Sequence, residues 1–436
     1  HQLNFIKFAH YSKLISPVRG NLHNMPVRST FRIILVRNFR NGVFPNRYVN
    51  ISRSFLISSI RNNGNVTWES AKPFKDIPSV TSLPFIGTAW QTLPIIGGYS
   101  VERQHEANRD KRKLLGNIIR EKLGPIDAVI CFTAEDLEVL FRNEGTTPYR
   151  FEFSTLKVYR ESRKEWYNTS GLLVIQGEEW RDLRNKTQKH LLKPAAIMEY
   201  LDPLQDVSTD FMKKIFGIRD ENKEISDMTE ELYKWALESV SLVGLDTRLG
   251  CLESNLLPDS DAMQMIQSVL TQFECMNKLE PFSGNIEFWK YFPTPTWKRF
   301  TKASDIYAQL NPVIGATVRT LANDAVLTGY KVPAGTIVIV VYEEIFLDEK
   351  YFKNAEKFIP ERWLNKQEKP NPFAFVPFGF GPRGCIGKRL ALLEINTLVT
   401  EILRNFKVEY HYEDIGIYSK LVNTPDKPLR FKFIER

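Results

Sequence analysis

The chain has 436 residues, 43% of them hydrophobic, which is enough to bury a sizeable core in one large domain or two. Its formal charge of +8 is local: residues 1–68 carry ten lysines and arginines and no acid, so the body is slightly acidic and a basic nucleic-acid-binding protein is excluded. Cys131, Cys251, Cys275 and Cys385 lie far apart without a CxxC pair, and the six histidines form no HExxH, which excludes a disulfide framework and the usual zinc sites.

Residues 1–68 interleave arginines with Phe31, Ile33, Ile34, Leu35 and Val36 and are sprinkled with serine. That is the composition of a mitochondrial transit peptide; a solvated basic tail that meets an anionic surface is the alternative. No apolar run reaches the roughly 18 residues of a membrane span. Pro73, Pro78, Pro84 and Pro94 then each forbid a helix interior.

Apolar periodicity predicts helices over Glu102–Lys122, Ala134–Asn143, a run opened by Trp180, Pro203–Phe216, Glu230–Val243, Asp261–Met276 and Trp297–Leu310. Tyr149–Gln176 reads as irregular. Strand character concentrates late, in Ala325–Leu327, in Thr336–Val341 beyond the turn Lys331-Val332-Pro333-Ala334-Gly335, and in Leu429–Ile434. The expected class is mainly α with small β-sheets, without internal repeats.

Lys388–Asn405 contains neither Gly nor Pro and carries Leu390, Leu393, Leu398 and Ile402 as an apolar stripe, so it reads as a helix. Cys385 sits at its N-terminus, where exposed N–H groups and the positive dipole end favour a thiolate able to bind a metal. Gly381, Gly384 and Gly387 can take positive φ and let backbone approach a flat ligand. Arg383 is placed to reach an acid on that ligand, and Phe378 offers an aromatic face. The alternative is a buried, inert cysteine.

Phe378-Gly379-Phe380-Gly381-Pro382-Arg383-Gly384-Cys385-Ile386-Gly387 fits the pattern Phe-x-x-Gly-x-Arg-x-Cys-x-Gly. On it the chain resembles the cytochrome P450 haem-thiolate monooxygenases, mitochondrial branch, and within that branch the insect members. The resemblance implies haem b (iron protoporphyrin IX) as cofactor, with Cys385 the axial ligand of its iron and Phe378, Arg383, Gly381 and Gly387 around it. Trp180 and Arg184, four apart on one helix face, match the family's Trp-x-x-x-Arg pair for a haem propionate; a core Trp beside an ordinary Arg is the alternative. Arg319 follows Asn311-Pro312 where the family places another propionate-binding arginine.

The resemblance further implies oxygen insertion from O2 into an apolar small molecule, a xenobiotic or a steroid. Electrons would come from a mitochondrial ferredoxin docking at Lys388 and Arg389, whose alternative is a solvated helix start. It places the chain in the mitochondrion, at the inner membrane or on the matrix side, with peripheral membrane contact and no nucleic acid. Three parts are expected: a leader over 1–68, an N-terminal helical part over 69–310 and a haem-binding part over 311–436.

Two departures qualify activity. The Glu-x-x-Arg of the family should stand just before Pro312, where Ile306 and Gln309 stand instead, which would leave Arg362 of Phe358-Ile359-Pro360-Glu361-Arg362-Trp363 buried and unpaired. The long oxygen-activating helix is also unmatched: Gly244-Leu245-Asp246-Thr247 stands too near Gly250 and Pro258 to lie in a helix that spans a domain. The expected fold is therefore a P450 fold lacking the central distal and Glu-x-x-Arg helices, with a junction near Leu310. No catalytic residue is assigned, and a truncated, non-catalytic relic or splice form, haem-binding or haem-free, remains the alternative.

Overall fold

Gly116, with φ of 97°, ends the first long helix well before the periodicity predicts. The computed structural model describes residues 66–84, 86–93, 96–123, 126–150, 153–254, 256–280, 293–310, 319–363, 370–419 and 423–436. Residues 1–65 of the leader and the junction residues 311–318 lie outside them. Helix α1 spans Gln104–Leu115, and strand β1, Ile118–Leu123, replaces the predicted continuation to Lys122. The reason is packing: Ile118 and Ile119 are buried, and β1 pairs antiparallel with β2, Ile126–Cys131, from Ile118 opposite Cys131 to Leu123 opposite Ile126. Sheet pairing overrides the helical reading, and strand structure is not confined to the late chain.

The middle of the chain is helical. Helix α2 (Ala134–Arg142) is capped by Thr133, whose Oγ1 accepts the Asp136 amide at 3.1 Å. Helix α3 (Ser154–Glu161) lies inside the stretch read as irregular, with Thr155, Leu156, Val158 and Tyr159 buried. Then follow α4 (Gly177–Leu191), α5 (Pro194–Met198), α6 (Leu201–Ile218), the short β3 (Glu224–Ile225) and α7 (Thr229–Leu245). Asp246 takes a left-handed φ of 52° and stops α7, so Asp246 and Thr247 stand at an exposed helix end, as the nearby Gly250 predicts. Helices α8 (Asp261–Leu279) and α9 (Pro295–Leu310) pack on each other.

Beyond the junction come β4 (Arg319–Thr320), β5 (Ala325–Leu327), β6 (Tyr330–Val332), β7 (Ile337–Val340), α10 (Tyr342–Phe346) and α11 (Lys388–Asn405). The chain closes with β8 (Phe406–Glu409), β9 (Ile417–Ser419), β10 (Asn423–Pro425) and β11 (Phe431–Glu435). The main sheet runs β1-β2-β7-β4; β7 lies parallel to β2, with Ala128 opposite Ile337. A parallel neighbour buried on both faces suits the unbroken run Ala128-Val129-Ile130-Cys131. Among the described residues the other sheets are β3-β11-β8 and the hairpins β5-β6 and β9-β10.

The two largest cores draw on both sides of the junction. One joins Val129, Leu137 and Phe141 to Leu327, Val338 and Phe373. Another joins Phe211, Ile215 and Trp235 to Leu398, Phe406 and Phe433. A third, built on Leu156, Tyr159, Met276, Trp297 and Phe300, lies wholly before it. Each large apolar side chain so buried contributes about 1.5–3 kcal/mol of transfer free energy. No helix among the described residues is long and apolar enough to cross a membrane.

Short acidic α10 is explained by what it meets. Glu344 lies 3.4 Å from Arg109 and 3.6 Å from Arg112 of α1, and Glu343 accepts from Asn423 at the start of β10. Arg362 also differs from expectation. It is half-buried rather than stranded in the core, and its guanidinium donates to the carbonyls of Lys353 (3.1 Å), Asn354 (3.2 Å) and Lys357 (3.3 Å) near the Phe352 ring. Backbone oxygens take the place of the expected carboxylate.

Candidate haem-thiolate site

Cys385 is the exposed one of four free cysteines; Cys131, Cys251 and Cys275 are buried. Burial pushes the Cys131 thiol well up and that of Cys251 to about 12, so neither offers a thiolate. The loop before α11 is shaped by two glycines at positive φ, Gly379 (68°) and Gly381 (71°). Gly384 and Gly387 do not take positive φ, contrary to the sequence reading; Gly387 is the N-cap of α11 at −84°, with open space where a Cβ would stand. The Cys385 amide donates to the Phe378 carbonyl at 2.8 Å and closes the turn. Cys385 thus precedes the cap by two residues, beyond the first helical turn itself.

Helix α4 brings its pair to this loop. Trp180 is buried, and Arg184, 9% exposed, donates through Nη2 to the Gly384 carbonyl at 2.8 Å. Arg184 forms no ion pair among the described residues; its other bond goes to Gln188 at 3.4 Å. Burial lowers its pKa, and the charge of Cys385, next in chain to Gly384, opposes that shift. Arg383 is buried, its guanidinium 3.7 Å from the Trp180 ring centroid. It donates to the Pro148 carbonyl (2.9 Å), the Ile175 carbonyl (3.3 Å) and Gln176 Oε1 (2.9 Å). Pro148, Ile175 and Gln176 were not singled out from sequence, because the first two contribute backbone carbonyls and the third a lone side-chain oxygen outside any motif.

Lys388 lies 5.8 Å from the Phe378 ring and, like Arg389, is half-buried; burial lowers the pKa of each. Arg319 lies in β4, opposite Val338; its side chain lies outside the described residues. The structure therefore gathers Cys385, Phe378, Arg383, Gly381, Gly387, Trp180, Arg184, Lys388 and Arg389 around one loop, while leaving Arg319 placed by its backbone only.

Among the described residues no three His, Cys, Asp or Glu side chains form a metal-binding group. A lone exposed sulfur suits a metal that arrives with its other ligands attached, as iron in a porphyrin does, and the uncompensated buried cation of Arg184 suits an acid carried by the same group. That donor set is compatible with a haem-thiolate protein.

A family model described as cytochrome P450 matches residues 78–314 and 310–433. The chain belongs to the cytochrome P450 family, whose cofactor is haem. It is 28% identical to "Probable cytochrome P450 301a1, mitochondrial" of Drosophila melanogaster over 500 aligned residues, 86% of this chain and 89% of that protein. It is 26% identical to "Probable cytochrome P450 12b2, mitochondrial" of the same fly, over 84% of this chain and 90% of that one. It is 27% identical to "1,25-dihydroxyvitamin D(3) 24-hydroxylase, mitochondrial" of Mus musculus, over 76% and 83%. These mitochondrial relatives assign the chain to the mitochondrion. The first alignment is longer than the chain itself, so it is opened by gaps on this chain's side.

Proposed function

We propose that Cys385 holds haem iron and that the chain is a monooxygenase of the mitochondrial type, inserting one oxygen atom of O2 into an apolar xenobiotic or steroid. The observation that carries it is the exposed Cys385 thiol, next in chain to the Gly384 carbonyl that accepts from the uncompensated guanidinium of Arg184. Haem, when bound, supplies the oxygen chemistry. Arg184 and the Trp180 indole N–H would take a propionate, with Arg383 beneath them stacked on the indole. Gly387 leaves the backbone free of a side chain where a flat group must come close, and Gly381 would join it on the cysteine loop, its own Cβ position being taken by the Glu144 carboxylate. Arg319 would serve a second acid. Lys388 and Arg389 would steer a small acidic ferredoxin, and the matrix side of the inner membrane, touched peripherally, is the site of action. The organisation proposed is a leader over 1–68, a helical part over 69–310 and a haem-binding part over 311–436.

A second reading is favoured by particular observations: a truncated polypeptide that lacks the central distal and Glu-x-x-Arg helices and does not turn over. The family match falls into two stretches that meet at 310–314. Glu394, Thr397 and Glu401 share one face of α11 and are buried, each with a side-chain oxygen that has no hydrogen-bond partner. Asp246 and Thr247 stand at an exposed helix end, away from any role over Cys385.

One experiment tests both. The 436-residue chain is expressed with haem supplied and reduced under carbon monoxide, and product formation is followed with ferredoxin, its reductase and an apolar substrate panel. A thiolate-type Soret band with product supports the monooxygenase, and the band without product supports the truncated reading. Absence of the band overturns the Cys385 assignment.

A further inference from the structure

Helices α7 and α11 both pack on α6, and each turns a second apolar stripe away from it. On α7 that stripe is Tyr233, Val240 and Val243, with Val240 43% exposed. On α11 it is Leu392, Ile395 and Val399, with Ile395 46% exposed. Residues at these spacings share one side of a helix, and none of the six is buried. Val243 shares a core with Leu390 and Leu393, while Trp235 shares another with Leu398 and Ile402, so the two helices run antiparallel. Ala236, one turn from Val240, and Ile402, next along the side that carries Ile395 and Val399, reach that same second core. The two stripes therefore lie side by side as one exposed apolar face, the kind of surface that marks an interaction site.

Charge at one end of this face says what fits it. Helix α7 ends at exposed Asp246, and α11 begins at Lys388, on the side of the helix that carries Ile395 and Val399. Because the helices are antiparallel, these opposite charges stand at the same end. A two-fold axis parallel to the helices lays α7 of one copy over α11 of the other, stripe on stripe, and brings each Asp246 to the Lys388 of the other copy. Two helices of 17 and 18 residues, about 25 Å long at 1.5 Å per residue and about 20 Å wide together, present about 500 Å². Doubled, that is about 1,000 Å², the lower end of specific association. We propose that the α7–α11 face docks a second copy of this chain and makes a weak, two-fold symmetric dimer. The dimer requires neither haem nor turnover, and it stands whether or not the Cys385 reading does.

Sedimentation velocity of the full chain over a range of concentrations tests it. A reversible monomer–dimer equilibrium with a Kd of about 1–100 μM is expected. Val240→Glu and Ile395→Glu, each placing a charge at an exposed position, should weaken the dimer at least about tenfold. Asp246→Lys or Lys388→Glu alone should weaken it severalfold, and the two together should restore it, which a non-specific apolar contact would not do. A chain that stays monomeric at about 100 μM overturns the proposal and leaves the face to a different partner. A dimer undiminished by Val240→Glu and Ile395→Glu places the contact elsewhere and overturns it too. Failure of the double charge reversal to restore association overturns the pairing of α7 with α11, whether or not the glutamate variants fold.

Discussion

Cys385 and Glu394 stand nine positions apart on the same stretch of chain and are held by opposite means. The cysteine is exposed, so its replacement should remove a ligand without collapsing a core. Cys385→Ser is expected to abolish the thiolate-type carbon monoxide band while its urea midpoint moves by less than about 0.5 kcal/mol equivalent; a retained band would place the iron ligand elsewhere. Glu394 is 9% exposed, and burial raises its carboxyl to about 7 from an ordinary 4.5. The folded chain therefore keeps a proton that the unfolded chain releases. Its stability falls as pH rises from about 4.5 to about 7 and is flat on this group's account above that. Glu394→Gln should remove that slope and unfold at higher urea than the parent at pH 8, by roughly 3 kcal/mol at most. Parallel pH profiles for the two proteins would refute it.

Helix α1 is tied to its own following strand by Lys111 and Glu121, buried side chains 2.5 Å apart. Breaking such a pair strands a charge, whereas replacing it whole does not. Lys111→Met should cost about 3–5 kcal/mol and the double change Lys111→Met with Glu121→Leu about 1 kcal/mol or less, read from urea midpoints. An equal loss in the two variants would show that the pair is not what joins α1 to β1. This region also shows what sequence could and could not supply. The helix Lys388–Asn405 was legible to the residue, because its stripe is long, capped by Gly387 and free of breakers. Strand β1 was not, because Ile118 and Ile119 continue a helical stripe and only pairing with β2 decides otherwise. The cysteine loop was legible as a pattern, but its supports were not. Arg383 is held by the carbonyls of Pro148 and Ile175, and a carbonyl carries no mark of its residue type. Likewise α3 was hidden because its eight residues are too few for periodicity to stand out.

The two stretches that match the family are sewn together by the whole molecule. Strand β7 completes the sheet begun by β2, and Leu398, Phe406 and Phe433 complete the core begun by Phe211 and Trp235. A protease site placed in 311–318 and cut after folding should leave the two pieces co-eluting on gel filtration, separating only in denaturant. Separation in native buffer would show that the shared cores contribute little. The arrangement of β2 beside β7 has a consequence for how the protein is made. Ile126–Cys131 leaves the ribosome some two hundred residues ahead of Ile337–Val340, the strand that covers its far edge. At roughly 5–20 residues per second, that edge of aliphatic side chains waits ten seconds or longer with a row of open amides and carbonyls, paired on one flank by β1 alone. Synthesis of this chain therefore includes an interval in which a sticky strand must be shielded by something other than its own partner.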